Sequence, residues 1–356
     1  MAPRNDAEKP WISRHFFYSI FMLVIQENIS LKNYNTFHID AKAKFFVEVK
    51  SEDEFAELQN TEIWKEHPHF FLWWGANILF TKDFDGIIIK NAIMGKHILR
   101  EENDTIFIKA WSGESWAKFV NRCVEQWYQW LENLALIPWT IGWSAVGNIG
   151  AYGTEAKDVI YEVEYLEVPS IEYLVPSTKH NETNVAPRKI LRNAECKFAY
   201  RESIFKHELK NKVFITAVIF ALKKVKDATP LKQAVADIVA IRKTKLPDPA
   251  QTGTAGSFFK NPTVTEKKYL ELKEKYPELI SFPAGELVKL AAGQLIELTG
   301  LKWYTQWNVG VSVRHALILI NLGNGTGEEM MQLANHIISE VKKNFWVTLE
   351  PEVIIM

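Results

Sequence analysis

The chain has 356 residues, which is enough for two or three domains and a large hydrophobic core. Its 42 lysines and arginines nearly balance its 43 aspartates and glutamates, which excludes the basic surface that attracts nucleic acid or an anionic membrane. The two cysteines, Cys123 and Cys196, are too few for a disulfide framework or a metal cluster and are expected to be buried thiols, and no apolar run reaches the roughly 20 residues of a membrane span.

The N-terminal stretch RHFFYSIFMLVI (14–25) is apolar and follows basic residues. The core of a signal peptide is one interpretation, but no small-residue cleavage site follows it. The favoured alternatives are that Met22 is the true start of translation, or that residues 1–21 form a loose extension. We therefore assign residues 1–26 as an N-terminal extension.

The next segment predicts strands and one capped helix. KFFVEVK (44–50) has the composition of a strand, and Ser51 is a helix N-cap candidate with Glu54 at the capping-box spacing. Residues 69–91 predict strands around turns. Within them, FFLWWGANILF (70–80) has two tryptophans where a turn favours Gly, Asn or Asp, because these residues adopt a positive φ at low cost.

From residue 113 onward the periodicity predicts a mixture of helices and strands. Helices are predicted at 113–129, 231–245, 283–300 and 327–345, and strands at 159–168, 212–222 and 316–324. Residues 130–153 are rich in small residues, have little periodicity and are predicted to be a loop. Because helices and strands do not alternate regularly, the predicted class is α+β rather than a doubly wound sheet.

Two glycine-containing motifs are candidates for chemistry. NIGAYG (148–153) favours backbone N–H groups that face phosphate oxygens, with an ordinary loop as the alternative. In GTAGSFFKNP (253–262), Ser257 is a candidate nucleophile, general acid or turn cap. No G-x-S-x-G elbow is present, so the sequence does not support a hydrolase.

Two further motifs carry charge. FAYRESIFK (198–206) places Arg201 beside a tyrosine, although a surface ion pair with Glu202 would also explain it. LEPEV, near the C-terminus, places Glu350 and Glu352 on the same side of a strand, where a solvated edge is the alternative. None of these motifs decides a function by itself.

Taken together and in order, the motifs resemble those of one family. They are SLKNYNTF, NILFTKDFDGIIIKN, LENLALIP, NIGAYG, YRESIFK, KLPDP, GSFFKNP, KLAAGQLI and LEPEV. The chain resembles the UDP-N-acetylenolpyruvoylglucosamine reductase (MurB) family of bacterial cell-wall synthesis, in its longer, type I branch. The resemblance begins near residue 28 and continues to the last residues, and GSFFKNP with LEPEV is its most specific part.

The resemblance implies an α+β protein with a two-subdomain FAD-binding fold, of the vanillyl-alcohol-oxidase (PCMH) type, and a C-terminal α+β substrate domain. The implied parts are the extension 1–26, FAD-binding subdomains 27–92 and 93–228, the substrate-binding domain 229–345, and a C-terminal strand, 346–356, that returns to the active site.

The resemblance also implies an activity. NADPH reduces FAD, and the reduced flavin gives hydride to UDP-N-acetylenolpyruvoylglucosamine, which yields UDP-N-acetylmuramate for peptidoglycan synthesis. Such an enzyme is cytoplasmic and monomeric, and it uses no metal, nucleic acid or membrane. The alternatives are a catalytically dead relative whose flavin site is filled by tryptophan, and another FAD-dependent oxidoreductase of the same fold, against which GSFFKNP and LEPEV argue.

Site residues follow from the resemblance position by position. Ser257 matches the proton donor, and Arg201 and Glu352 match residues that polarise the substrate carboxylate, the glutamate acting protonated or through a hydrogen-bonded network. The substrate-binding positions are Tyr200, Asn261 and Lys245, which would meet the pyrophosphate. The FAD-binding positions are Trp73, Trp74, Gly75, Ala76, Asn77, Trp139, Thr140, Asn148, Ile149, Gly150, Ala151, Tyr152 and Gly153.

The chain departs from the family pattern before the helix predicted at 231–245. Only VKDATP (225–230) separates this helix from the preceding strand. Type I members carry a longer loop here, with a tyrosine that binds substrate. No tyrosine carries over, so the group that grips the UDP moiety is unassigned.

A second departure concerns glycine and tryptophan. Glycine is 17 of 356 residues, below the usual ~7%, whereas tryptophan is 13 of 356. Ten tryptophans stand where the family has glycine or another small residue: Trp73, Trp74, Trp111, Trp127, Trp130, Trp139, Trp143, Trp303, Trp307 and Trp346. Trp116 matches a family tryptophan, and Trp11 and Trp64 match no family position. Glycine at all ten positions would restore the glycine content to about 7.6%.

We hypothesise that this pattern reflects the genetic code, because UGA encodes glycine in some bacterial lineages and tryptophan in others. A bulky residue at positive φ costs about 1–2 kcal/mol, and overpacking typically adds about 1–3 kcal/mol. Ten such sites would exceed a total stability of about 5–15 kcal/mol. The rival hypothesis is that the tryptophans are real and that the chain is a failed or repurposed relative.

Overall fold

The computed structural model describes residues 23–168 and 187–356. The strands in these ranges are β1 (Ile25–Ser30), β2 (Lys42–Val49), β3 (His69–Leu72), β4 (Ile78–Leu79), β5 (Phe84–Asn91), β6 (Lys96–Glu102), β7 (Thr105–Trp111), β8 (Tyr128–Gln129), β9 (Gly150–Ala151), β10 (Thr154–Glu155), β11 (Ile160–Glu167), β12 (Lys189–Arg192), β13 (Val213–Lys224), β14 (Thr263–Thr265), β15 (Ser281–Ala284), β16 (Leu287–Leu290), β17 (Thr305–Gln306), β18 (Val309–Val311), β19 (Leu319–Asn321) and β20 (Ile354–Ile355). The α-helices there are α1 (Glu52–Gln59), α2 (Glu62–Glu66), α3 (Trp116–Glu125), α4 (Ile141–Val146), α5 (Thr229–Lys245), α6 (Glu266–Lys275), α7 (Ala292–Leu298) and α8 (Gly327–Phe345).

The chain divides into two compact units. Of the described residues, the first unit takes 23–25, 47–73, 89–168 and 187–238, and the second takes 26–46, 74–88 and 239–356. A four-stranded sheet has the order β1-β2-β5-β3. The mixture of helices with largely antiparallel strands confirms the predicted α+β class.

The first unit is built on an antiparallel sheet of order β12-β11-β13-β7-β6, and β8 also pairs with β13. Strand β13 is buried without interruption from its first residue through Phe220, and therefore its apolar residues do not alternate with polar ones. Helix α3 packs against it, with the rings of Phe119 and Trp116 centred 4.9 Å and 5.8 Å from that of Phe220.

The second unit combines small sheets with one long helix. The sheets are β14-β16-β15 and β17-β18-β19, which are antiparallel, and the parallel pair β4 and β20. Helix α8 begins with a capping box in which the Thr326 side chain accepts from the Glu329 N–H. Its apolar residues recur at helical spacing and are buried: Met330, Leu333, Ala334, Ile337, Val341 and Phe345.

Strong local signals in the sequence predicted most of these elements. The Ser51 side chain caps α1 by accepting from the Glu54 N–H at 3.0 Å, as the capping-box spacing indicated. The predicted strands at 159–168 and 212–222 and the helix at 231–245 correspond to β11, β13 and α5. In the structure only four residues join β13 to α5, which agrees with the short connection seen in the sequence.

Two predicted elements were wrong. The helix predicted at 283–300 is strands β15 and β16 followed by the shorter α7. The turn at Gly285, whose φ is 64°, and pairing of β16 with β14 override the local helical pattern. The loop predicted at 130–153 contains α4, all six residues of which are buried. A helix buried on every side has no polar face, so it has no amphipathic signal.

Both cysteines are free and buried, as the sequence predicted. Burial raises the pKa of the Cys123 thiol, and it raises that of Cys196 to about 12. Among the described residues no helix combines the length and the apolar character needed to cross a membrane. Trp11 and most of the apolar stretch 14–25 lie outside the described residues.

The stability of the first unit should depend on pH through His69. Its ring stacks on Trp64 with centroids 3.9 Å apart, and burial lowers its pKa from the ordinary 6.5. The unfolded chain therefore takes up a proton at a higher pH than the folded chain does. We expect the free energy of unfolding to fall as the pH is lowered from about 7 to 5, where unfolded histidine titrates.

Urea unfolding at both pH values would measure this effect, with His69→Phe as the comparison because it keeps the ring stack and removes the titrating group. Between about pH 7 and pH 5, the free energy of unfolding should decrease less in the His69→Phe variant than in the unaltered chain. His97 and His315, whose pKa values are also lowered by burial, account for a remainder. An identical pH dependence in the variant would contradict the role of His69.

Candidate functional site

Residues 73–77 connect β3 with β4 and contain a glycine that the backbone requires. Gly75 has a φ of 71°, and a Cβ there would lie 1.9 Å from the carbonyl oxygen of Tyr34. Its own carbonyl accepts a hydrogen bond from the Thr36 N–H at 2.9 Å. The loop is thus held so close to Tyr34 that only glycine fits.

The C-terminal strand lies against the end of this loop, within the second unit. The Asn77 side-chain amide donates to the Glu352 carbonyl at 3.2 Å. The Asn77 carbonyl accepts from the Ile354 N–H at 2.9 Å, and β20 continues parallel to β4. Contacts between residues 275 positions apart therefore fix the backbone at Glu352.

Ser257 lies on a segment that pairs with the same C-terminal residues. Its side chain is exposed, while Phe258 and Phe259 beside it are buried and anchor the segment. The Glu352 N–H donates to the Phe258 carbonyl at 2.8 Å, and Ser257 forms a bridge with Ile318. The second unit thus brings Ser257 and Glu352 close in the backbone, although 95 positions separate them in the sequence.

The other substrate-binding candidates in the second unit lie at helix ends. Asn261 accepts a hydrogen bond through its Oδ1 from the N–H of Ala292, the first residue of α7, at 3.0 Å. Its Oδ1 therefore has a structural partner. Lys245 is the exposed last residue of α5, and no contact there assigns it a ligand.

Arg314 is a residue that the sequence did not single out. Its Nη1 donates to the carbonyls of Lys243 and Leu246, at 2.9 Å and 2.8 Å, at the end of α5. Ile318, four residues after Arg314, forms a bridge with Ser257. Arg314 thus ties the end of α5 to the segment that positions Ser257. This role depends on folding and leaves no local signal in the sequence.

The NIGAYG motif forms the hairpin β9–β10 in the first unit. Its two loop residues, Tyr152 and Gly153, have φ of 50° and 80°, which is typical of a type I′ turn. The Ile149 N–H donates to the Ser144 carbonyl at 3.2 Å. The motif is therefore a hairpin in which the Ile149 N–H already has a backbone partner, and the phosphate-binding role stays a prediction.

Arg201 and Tyr200 lie next to this hairpin within the first unit. The Arg201 Nη2 donates to the Gly150 carbonyl at 2.6 Å, and its guanidinium carbon lies 5.4 Å from the centre of the Tyr200 ring. The buried Asn148 amide donates to the Ala199 carbonyl at 2.8 Å. The structure thus brings the predicted residues 148–150 together with Tyr200 and Arg201.

Three tryptophans lie in or against helix α4 in the first unit and are here termed the α4 tryptophans: Trp73, Trp139 and Trp143, the last of which is part of the helix. The Trp143 ring is centred 6.5 Å from that of Trp73 and 5.9 Å from that of Trp139. A Cβ on Gly142 would lie 2.3 Å from the Trp73 ring. Indoles are therefore packed at two of the positions predicted to bind FAD, Trp73 and Trp139, and Trp143 lies between them.

Buried polar atoms without a hydrogen-bond partner lie at the same helix. In the described part of the chain they include Oγ of Ser112, Oγ1 of Thr140, which is a predicted FAD-binding residue, and the indole Nε1 of Trp143. An unpaired buried donor or acceptor costs about 1–3 kcal/mol. Ser112 is close to Trp73, because both lie within 3 Å of the point where a Gly142 Cβ would be.

These observations test whether the residues fit the FAD that the resemblance implies. The unpaired hydroxyls of Ser112 and Thr140 suit a polar ligand, and with a small residue in place of Trp73 there would be room beside Gly142 for one. The α4 tryptophans fill that room instead, and one of them buries an unpaired N–H. The chain with these tryptophans therefore does not fit the cofactor.

Two family models match the chain. The model described as UDP-N-acetylenolpyruvoylglucosamine reductase, C-terminal domain, matches residues 248–356, and the model described as FAD binding domain matches residues 43–169. The first match contains Ser257 and Glu352, and the second contains the α4 tryptophans.

Curated proteins named UDP-N-acetylenolpyruvoylglucosamine reductase match nearly the whole chain. The protein of Chromobacterium violaceum is 39% identical over 354 residues, covering 94% of this chain and 99% of that protein. The protein of Flavobacterium johnsoniae is 37% identical over 350 residues, covering 92% of this chain and 98% of that protein.

A solved structure supports the fold. The chain is similar to the crystal structure of UDP-N-acetylenolpyruvylglucosamine reductase (MurB) from Thermus caldophilus, with a TM-score of 0.66 and 20% identity, over 94% of this chain and 99% of that one. This match and the FAD-binding family model confirm the predicted FAD-binding fold. Because the chain is 37–39% identical to the curated reductases over more than nine tenths of its length, we conclude that it belongs to the UDP-N-acetylenolpyruvoylglucosamine reductase family.

Proposed function

We propose that the protein reduces UDP-N-acetylenolpyruvoylglucosamine to UDP-N-acetylmuramate with NADPH as reductant, as a cytoplasmic monomer. The observation that carries this proposal is the pairing of the GSFFKNP and LEPEV segments. Their pairing places the exposed Ser257 beside the backbone of Glu352. Buried neighbours on both segments, Phe258 and Val353 among them, hold this arrangement.

In this proposal Ser257 is the proton donor. In a chain whose α4 tryptophans are replaced by glycine, bound FAD would supply two-electron chemistry between a nicotinamide and the enolpyruvyl group. Hydride addition to the methylene carbon leaves electron density on the neighbouring carbon, which takes the proton from the Ser257 Oγ. A serine hydroxyl is a weak acid, and it serves here because the acceptor is a strong base and the hydroxyl is already positioned.

Glu352 and Arg201 act on the substrate carboxylate in this proposal. Arg201 presents a planar fork that pairs with a carboxylate through two hydrogen bonds, and its bond to the Gly150 carbonyl orients it. Glu352 assists the build-up of charge on the carboxylate in its protonated form or through a hydrogen-bonded network. Tyr200, Asn261 and Lys245 complete the proposed substrate contacts, with the Lys245 ammonium facing the pyrophosphate.

The activity can be tested on protein purified from its native cells. NADPH consumption that depends on the enolpyruvyl sugar nucleotide, with UDP-N-acetylmuramate identified by mass spectrometry, is the expected result. NADH in place of NADPH tests the choice of reductant. Protein that carries FAD but consumes no NADPH when the sugar nucleotide is added would overturn the proposal.

Substitution of Glu352 should separate its charge from its hydrogen bonding. We expect Glu352→Gln to retain activity within about tenfold, and Glu352→Ala to lose about 10²–10³-fold in kcat, because the amide keeps a donor and the methyl group does not. Both variants keep the backbone hydrogen bonds that join Glu352 to Phe258 and Asn77. Equal rates in the two variants would argue against this role.

A further inference from the structure

We infer that the working protein carries glycine at two structurally distinct sets of the tryptophan positions, for two different physical reasons. The turn tryptophans have a positive φ: Trp127, Trp130, Trp303, Trp307 and Trp346. The α4 tryptophans, defined above, comprise two predicted FAD-binding positions, Trp73 and Trp139, and Trp143, which packs against both. The inference for the α4 set rests on the proposed function, whereas that for the turn set rests on the backbone alone.

Two turn tryptophans lie where helices end. Trp127 follows the C-cap residue of α3 with a φ of 67°, and its N–H donates to the Val124 carbonyl at 3.1 Å. Trp346 follows α8 with a φ of 58°, and its N–H donates to the Lys342 carbonyl at 2.8 Å. A left-handed residue at this position is usually glycine, because a Cβ there is strained.

Two others lie in tight turns. Trp307 is the first of two residues that join β17 to β18, with a φ of 53°, and type II′ hairpins place glycine at this position. Trp130 follows β8 with a φ of 100°, which lies beyond the left-handed helical region open to other residues. Trp303 has a φ of 71°.

The turn tryptophans gain little from burial. Their exposed fractions range from 47% for Trp127 to 80% for Trp346. Trp64 and Trp116, which lie outside the ten positions, are buried, and the Trp116 indole donates to the Leu134 carbonyl at 2.9 Å. Trp64 and Trp116 are thus core residues, whereas the turn tryptophans are exposed on backbone that suits glycine, even though the Trp303 indole donates to the Val313 carbonyl at 3.1 Å.

One codon explains both sets. Backbone strain and the filling of space around α4 are unrelated demands, and glycine satisfies each of them. The source cell would translate UGA as glycine. The same UGA codons, read under a code in which UGA means tryptophan, would give tryptophan at all these positions at once. Trp74 and Trp111 are assigned by the family pattern alone, since neither belongs to the positive-φ set nor to the cluster at α4.

The gene and the native protein give the first test. We expect UGA codons at the turn and α4 positions, and UGG at Trp64 and Trp116. Peptide mass spectrometry of protein from the native cells should show glycine at the former positions and tryptophan at the latter. UGG codons at the turn positions, or tryptophan in the native peptides, would overturn the inference whether or not a recombinant chain folds.

Four recombinant full-length chains then separate the two sets. They carry tryptophan throughout, glycine at the turn set, glycine at the α4 set, and glycine at both sets. Glycine at the turn set should raise the melting temperature by roughly 10 °C or more without conferring FAD binding. Glycine at the α4 set should confer stoichiometric FAD binding, measured by quenching of flavin fluorescence.

Trp116→Gly is the matched control, because it makes the same substitution at a buried residue that has a partner; it should lower the melting temperature. A lower melting temperature for the turn set would overturn the backbone argument. Tight FAD binding by the tryptophan-bearing chain would overturn the α4 argument. If the chain with glycine at the turn set is stabilised and none of the four chains binds FAD, the α4 inference and the proposed function fail while the turn inference stands.

Discussion

Replacing Ser257 with alanine should slow the sugar half-reaction by about 10²–10⁴-fold and spare reduction of the flavin by NADPH. The test uses the chain with glycine at both the turn and α4 sets, loaded with FAD. Loss of a positioned proton donor typically costs about 10²–10⁴-fold in rate. Only reoxidation by the enolpyruvyl sugar nucleotide needs that proton, so rapid mixing should show normal reduction and slow reoxidation.

A matched variant separates loss of the proton from loss of the fold. Ser257→Cys keeps a donor of similar size with a lower ordinary pKa, so it should retain more of the sugar half-reaction than the alanine variant does. Both variants should fold, because Phe258 and Phe259 anchor the segment and the Ser257 side chain is exposed. If both half-reactions slowed equally in Ser257→Ala, the proton-donor role would be rejected.

Gly75→Ala should be among the most damaging single substitutions in the second unit. The added Cβ would lie 1.9 Å from the Tyr34 carbonyl oxygen, on a backbone with a φ of 71°. Strain at positive φ of about 1–2 kcal/mol and overpacking of about 1–3 kcal/mol together predict a loss of about 2–5 kcal/mol in the free energy of unfolding. Urea denaturation would measure it.

Gly285→Ala is the control for Gly75→Ala. Gly285 also has a positive φ, 64°, but a Cβ there would meet no atom within 4 Å. It should therefore lose only the strain component, about 1–2 kcal/mol. Equal losses at the two positions would show that contact with Tyr34 does not restrict the loop. In the chain with glycine at both the turn and α4 sets, Gly75→Ala should also weaken FAD binding, since this residue is a predicted cofactor contact.

The sequence alone determined the family and much of the secondary structure. Local chemistry carried those signals: Ser51 and Glu54 at capping spacing, the periodic apolar face of α8, and the GSFFKNP and LEPEV motifs. The scarcity of glycine and the excess of tryptophan were likewise visible in the composition. Each of these signals lies within a few neighbouring residues or in the order of short motifs.

Only the tertiary structure decided what depends on distant contacts. Helix α4 was missed because burial on all sides removes amphipathic periodicity, and 283–300 was mistaken for one helix because pairing of β16 with β14 overrides local propensity. The proximity of Ser257 to Glu352 comes from two segments that meet across 95 positions of sequence. The sign of φ at Trp127 or Trp346 is likewise a property of the folded backbone, which is why the structure could separate tryptophans that the family pattern had only grouped.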